Sequence, residues 1–163
     1  MLPFLIGAAG TAASLYSFMS AVETGSKALD EYIDENVDIL TQSPVLGRPE
    51  MVCTLRSKSE RRLIESYNAI LISYVDQING TSLLSQWGKP GFRFDKEDVT
   101  LLMRLGAAFY NWWREGYTGQ YINQTKTLDP KVSAIFHLLD DTDKAIIARA
   151  QALISSAAER RKK

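Results

Sequence analysis

Apolar residues recur three and four positions apart through most of the chain, which is the spacing of one face of an α-helix. The clearest case is residues 57–79, where a capping box of Ser57 and Glu60 opens the pattern and Asn79 and Gly80 close it. No segment shows the sustained alternation of a strand. The sequence therefore predicts an all-α fold, a helical bundle with an N-terminal apolar helix or arm.

Residues 99–113 predict the central helix of that bundle. Arg104 is the one charged residue among them, and apolar side chains surround the helix nearly completely, so burial on all sides is expected. The stretch is too short to cross a bilayer, which needs about 20 residues. Asp95 is predicted to cap the start of this helix, and the acidic residues 140–143 to cap a last amphipathic helix that ends in a basic tail.

The N-terminal segment is unusual because residues 2–22 contain no charged side chain. A helix of that length spans roughly 30 Å, the thickness of a bilayer core, but its many Gly, Ala, Ser and Thr residues leave membrane insertion near balance. Small residues at intervals of four form a strip, and bulky apolar residues form a stripe on another side, which predicts a surface for close helix packing. The residues predicted to contact a membrane or a neighbouring subunit are Phe4, Leu5, Ile6, Ala9, Ala13, Leu15, Ser17, Phe18, Met19 and Ala21.

Three interpretations of this segment stay open. It forms a helix that spans or enters a membrane, a helix buried in the core or in an oligomer interface, or a secretory signal peptide. The signal peptide is the least favoured, because the opening Met-Leu-Pro has no basic residue and the segment ends without a small-residue cleavage site.

Breaker residues divide the chain into an arm and a body. The acidic residues 23–40 continue as a helix that Gly25 bends or interrupts, and two prolines and a glycine in close succession then mark a linker. We therefore predict an arm at 1–41 (apolar helix 2–22, then acidic helix 23–40), a linker at 42–56 and a bundle body at 57–163.

The charge of the chain is balanced, with 19 basic and 19 acidic residues. This balance removes the electrostatic case for nucleic acid, except through the C-terminal basic tail. The candidate phosphate contacts in that tail are Arg160, Arg161, Lys162 and Lys163. The acidic residues gather between positions 23 and 38. The single cysteine, Cys53, has no intrachain disulfide partner and favours a reducing compartment.

The sequence contains no recognisable catalytic or cofactor-binding motif. His137 is the only histidine, so a zinc-protease pair is excluded and a structural, half-buried role is expected. The acids at 140–143 lack the glycine and the distal glutamate of a calcium loop. We expect no enzymatic activity, cofactor, metal or small-molecule substrate. Trp112 and Tyr117 are candidate interface residues, because large aromatic side chains are common at protein contacts.

These features predict a non-enzymatic structural or assembly protein that forms a homo-oligomer or a larger assembly. Its apolar N-terminal helix anchors in a membrane or packs between subunits, as in a virion, shell or secretion-type component, so it is expected at a membrane or within that assembly. The alternative is a membrane-active effector, a pore-forming or lysis protein that releases the N-terminal helix. A helical enzyme with unrecognised acidic residues is less favoured.

Overall fold

A computed structural model of the chain describes residues 12–41, 57–114 and 138–162. They form six helices and, within these ranges, no strand, which confirms the all-α prediction. The helices are α1 (Ala12–Thr24), α2 (Ser26–Thr41), α3 (Lys58–Asn79), α4 (Leu83–Gln86), α5 (Lys96–Arg114) and α6 (Asp141–Lys162). The predicted linker 42–56 with Cys53, the first part of the predicted apolar helix (2–11) and His137 lie outside the described residues.

Both ends of α3 are formed by the residues that the sequence predicts. Ser57 Oγ accepts a hydrogen bond from the Glu60 backbone N–H at 3.1 Å, which satisfies one of the free donors of the first turn. Gly80 ends the helix in the left-handed conformation (φ 66°), where a side chain would be strained. Its N–H donates to the Asp76 carbonyl at 2.7 Å.

Aspartates cap α5 and α6 in the same way. Asp95 Oδ1 accepts from the Asp98 N–H at 2.9 Å, and Asp140 Oδ1 accepts from the Asp143 N–H at 2.8 Å. Both predicted caps are confirmed, and they mark the starts of α5 and α6.

Helix α5 is the central helix of the bundle, as its apolar sequence predicts. It contacts α1, α2, α3 and α6. Its fully buried side chains, all without exposed surface, are Val99, Leu102, Met103, Leu105, Ala107, Ala108 and Phe109.

The two N-terminal helices pack onto the same core as the rest of the bundle. Gly25 separates them with a φ of 139°, which confirms that it interrupts the predicted helix. Helix α1 contacts α2, α5 and α6, and the main contacts of α2 are with α1 and α5. The arm side chains that belong to the shared core are Phe18, Met19, Val22, Leu29, Ile33 and Val37.

Long-range contacts set the directions of the helices. Tyr74 on α3 donates to Asp143 at the start of α6, whereas Tyr67, earlier on α3, accepts from Gln151 further along α6. Helices α3 and α6 are therefore antiparallel. The ion pairs described below show that α2 and α5 are antiparallel as well.

Candidate functional site

The described part of the arm, residues 12–41, comprises α1 and α2. The bulky stripe of α1 faces the bundle. Phe18 is fully buried, Met19 and Val22 are each 6% exposed, and the Phe18 ring meets the Tyr32 ring of α2 edge-on at 5.5 Å between centroids. The bulky side chains of this part of the helix therefore lie in the core of the same chain, which is one of the alternatives that the sequence left open.

The small residues of α1 lie on another side of the helix. Ser17 and Ser20 are exposed, and Ala21 is half-buried. Of the other predicted contact residues, Phe4, Leu5, Ile6 and Ala9 lie outside the described residues, while Ala13 and Leu15 lie on the first turn of α1 with side chains that are not described. Of the predicted small strip, Ser17 thus faces away from the core and Ala21 lies at its half-buried edge.

A row of ion pairs, which we call the charge ladder, joins the arm to α5. Asp38 Oδ1 lies 2.8 Å from Lys96 Nζ, Asp30 Oδ1 lies 2.9 Å from Arg104 Nη2, and Glu23 Oε1 lies 3.4 Å from Arg114 Nη1. The order of the acids along the arm is opposite to the order of the cations along α5. The two rungs on α2 therefore run antiparallel to α5, and the third continues the same order onto α1.

The rungs differ in exposure. The Asp38 and Lys96 side chains are 65% and 63% exposed, whereas the Arg104 side chain is only 24% exposed. The hydrogen bond and the charge of Asp38 raise the pKa of Lys96. Because solvent screens exposed pairs, the Asp30–Arg104 rung is expected to contribute more than the Asp38–Lys96 rung.

The last rung includes a tyrosine. Tyr110 Oη donates to Glu23 Oε1 at 2.5 Å, and the Arg114 guanidinium lies 5.6 Å from the centre of the Tyr110 ring. Glu23 is therefore held by a hydroxyl and a cation from two successive turns of α5, and this contact anchors the end of α1.

An open groove of about 550 Å³ follows the α2–α5 seam. Val37 and Leu101 contribute its apolar surface, and Asp34, Glu97, Lys96 and Arg104 contribute charges of both signs. Its two cations already pair with Asp38 and Asp30. The groove therefore offers an anion no uncompensated cation, and the charges left in its lining are those of the acids Asp34 and Glu97.

The remaining predicted site residues do not gather at this seam in the described structure. Trp112 is 6% exposed and lies inside the bundle, and Tyr117 lies outside the described residues. Arg160, Arg161 and Lys162 belong to the last turns of α6, with side chains that are not described, and Lys163 follows beyond them. Among the described residues, no group of three or more His, Cys, Asp or Glu side chains is arranged to hold a metal ion.

Sequence analysis did not identify the charge ladder. Two signals for it were present, namely the acidic run at 23–38 and Arg104 as the one charged residue of the stretch 99–113. A cation kept in the middle of a buried helix requires either solvent or an acidic partner, and the acidic run is the largest source of such partners in the chain.

None of the helices in the described ranges is long and apolar enough to cross a bilayer. Comparison with protein-family models, with curated protein sequences and with solved structures finds no match to this chain.

Proposed function

We propose that the protein is a non-enzymatic assembly protein whose N-terminal segment packs between copies of the chain. The supporting observation is the orientation of α1, which buries its bulky side chains and keeps Ser17 and Ser20 exposed. A helix with a smooth outer face allows a second helix to approach closely. The uncharged residues before Ala12 include Phe4, Leu5 and Ile6, which would extend this contact surface.

Burial of its apolar side chains opposes release of the arm into water. Six described side chains of the arm are buried in the core, and burial of such a side chain contributes about 1.5–3 kcal/mol. An exposed ion pair contributes about 0–1 kcal/mol. Uncovering the arm in water would thus cost on the order of 10 kcal/mol, as much as the whole stability of a typical domain. If the arm leaves the body, another apolar surface therefore has to cover it.

Sedimentation velocity of the full-length chain tests the proposal. We expect species larger than the 18.2 kDa monomer without detergent. The double variant Phe4→Asp, Ile6→Asp should shift the protein toward the monomer, because two charges in the contact surface would have to be desolvated. A matched control is Ser66→Asp, Gln77→Asp, which places the same charge on exposed positions of α3. A wild-type chain that stays monomeric at every concentration would contradict the proposal.

A membrane is the second candidate surface for the N-terminal segment. The observation in its favour is that residues 2–22 contain no charged side chain. A membrane-active effector would release entrapped dye from anionic vesicles, and the Phe4→Asp, Ile6→Asp variant would not. Under the assembly proposal, neither protein releases dye.

A further inference from the structure

The arm docks onto one face of the body, and this face is present on every copy of the chain. Resting on the proposed assembly function, we propose that the arm of one copy docks onto the α5–α6 face of a second copy. It would occupy the place that the second copy's own arm occupies in the structure. The partner of this face is thus a second copy of the chain, and the arms are exchanged between copies.

The charge ladder provides the recognition. Each rung joins an acid of the arm to a cation of α5, through Asp38–Lys96, Asp30–Arg104 and Glu23–Arg114. Charge complementarity of this kind selects the partner and the register more than it adds affinity. The same three rungs form whether the arm and the face belong to one chain or to two.

The connectivity of the chain permits exchange. Residues 42–56 are the one covalent connection between the arm and the body, and fifteen residues extend to at most about 50 Å. An exchanged arm also keeps its apolar side chains buried, so the cost of exposing them in water is avoided. Exchange of an identical element between copies is a low-cost route from a monomer to an oligomer.

The connection also explains when exchange would occur. A tethered arm meets its own face at an effective concentration on the order of 1 mM, so closure within one chain dominates in dilute solution. Exchange becomes competitive when copies are concentrated, as within an assembly. A test must therefore remove the advantage of closure within one chain.

Two charge-reversed variants of the full chain weaken the docking of each arm on its own body. The arm-reversed chain carries Asp30→Lys and Asp38→Lys, and the face-reversed chain carries Lys96→Glu and Arg104→Glu. Each has two repulsive rungs when its arm closes on its own face. When the two are unfolded in urea, mixed and refolded together, the rungs between chains are attractive. We expect a 1:1 dimer of about twice the 18.2 kDa mass by native mass spectrometry.

Two controls separate this result from general attraction and from misfolding. The control pair has the same opposite net charges, placed at exposed positions that form no ion pair with the described residues. One control chain carries Glu31→Lys and Glu35→Lys, and the other carries Lys144→Glu and Arg149→Glu. This pair should give no enrichment of the mixed dimer over the two homodimers. A single chain with all four ladder substitutions should fold and sediment as the wild type does. If the reversed chains fold poorly, reversal of only the exposed Asp38–Lys96 rung should give a smaller mixed fraction, still above the control.

The outcomes distinguish this inference from the assembly proposal. If the complementary pair forms no mixed dimer while the four-substitution chain folds normally, arm exchange is overturned, whether or not the wild type assembles. If the complementary pair dimerises while the wild type stays monomeric at every concentration, the docking face is supported and the assembly proposal fails. Equal amounts of mixed dimer in the complementary pair and in the control pair would also overturn arm exchange.

Discussion

Arg104 Nη2 lies 2.9 Å from Asp30 Oδ1, and Arg104 is the one charged residue between positions 99 and 113. A cation in this part of α5 is compatible with folding because the arm supplies its partner at the edge of the core. The arm is therefore an integral layer of the bundle at this point, since without it the Arg104 side chain would lose its counter-charge and α5 would lose its cover.

The Asp30–Arg104 pair predicts a measurable coupling free energy. In a double-mutant cycle with Asp30→Asn and Arg104→Gln, we expect a coupling of about 0.5–1 kcal/mol in urea unfolding, falling toward zero in 1 M salt. The Asp38–Lys96 pair serves as the control, because both of its side chains are more than 60% exposed, and its coupling should be smaller. A larger coupling energy for Asp38–Lys96 than for Asp30–Arg104 would contradict this prediction.

Asp98 predicts a pH-dependent loss of stability. Burial, and then the charge of Asp95, raise the pKa of Asp98 from 3.8 to about 6. Because the folded-state pKa lies above the unfolded value, folding favours the protonated acid. The resulting stabilisation of the folded state is complete below about pH 4 and is lost as the pH rises through 6.

Asp98→Asn tests this sign, because the amide is neutral at every pH and resembles the protonated acid. We expect it to raise the free energy of unfolding by about 1–3 kcal/mol at pH 7.5 and to change it little at pH 4. Glu97→Gln, at an exposed position in the same turn, is the control. A destabilised Asp98→Asn chain at pH 7.5 would mean that the carboxylate form is favoured.

Local signals explain which parts of the fold the sequence predicts. The boundaries of α3 and the start of α5 depend on Ser57, Gly80 and Asp95, whose hydrogen bonds reach only a few residues along the chain. The same local logic places Asp98 favourably in a first turn, but its burial depends on packing that the local pattern does not contain. Its raised pKa is therefore a property of the tertiary structure.

The partners of the arm could not be predicted for the same reason. The acidic run and the cations of α5 are both visible in the sequence, but pairing Asp30 with Arg104 requires knowing that α2 lies antiparallel to α5. Trp112 is similar, because only the arrangement of helices around α5 decides whether the indole is in the core or at the surface. Residues 2–11, where the predicted membrane or subunit contact begins, remain a prediction.

A buried hydrogen bond between α3 and α6 predicts a compensating pair of substitutions. Gln151 Nε2 donates to Tyr67 Oη at 2.5 Å, both side chains have no exposed surface, and Gln151 Oε1 has no hydrogen-bond partner among the described residues. Tyr67→Phe removes the acceptor and leaves a buried donor unpaired, at a cost of about 1–3 kcal/mol.

Replacing both partners should recover much of that loss. In the double variant Tyr67→Phe, Gln151→Met, no buried polar group of this pair is left unsatisfied, and we expect a free energy of unfolding closer to the wild type than that of Tyr67→Phe alone. Urea unfolding of the wild type, Tyr67→Phe, Gln151→Met and the double variant measures the difference. If the double variant is the less stable of the two, the packing of Gln151 matters more than its hydrogen bond.

The Asp76 carboxylate joins the end of α3 to the start of α4, so its removal should cause a local loss of structure. Asp76 Oδ1 accepts from the Leu83 N–H at 2.7 Å and from Thr81 Oγ1 at 2.6 Å, while Oδ2 accepts from the Leu84 N–H at 3.0 Å. A helix as short as α4 has little stability of its own, so this carboxylate holds it in place.

Asp76→Ala should therefore cost about 1–3 kcal/mol in global stability and, more specifically, increase hydrogen exchange at the Leu83 and Leu84 amides. Asp76→Asn retains one acceptor oxygen and should give an intermediate effect. Gln77→Ala, at the exposed neighbouring position, is the control and should leave these amides unchanged. Equal exchange in the wild type and in Asp76→Ala would show that the carboxylate does not hold α4 in place.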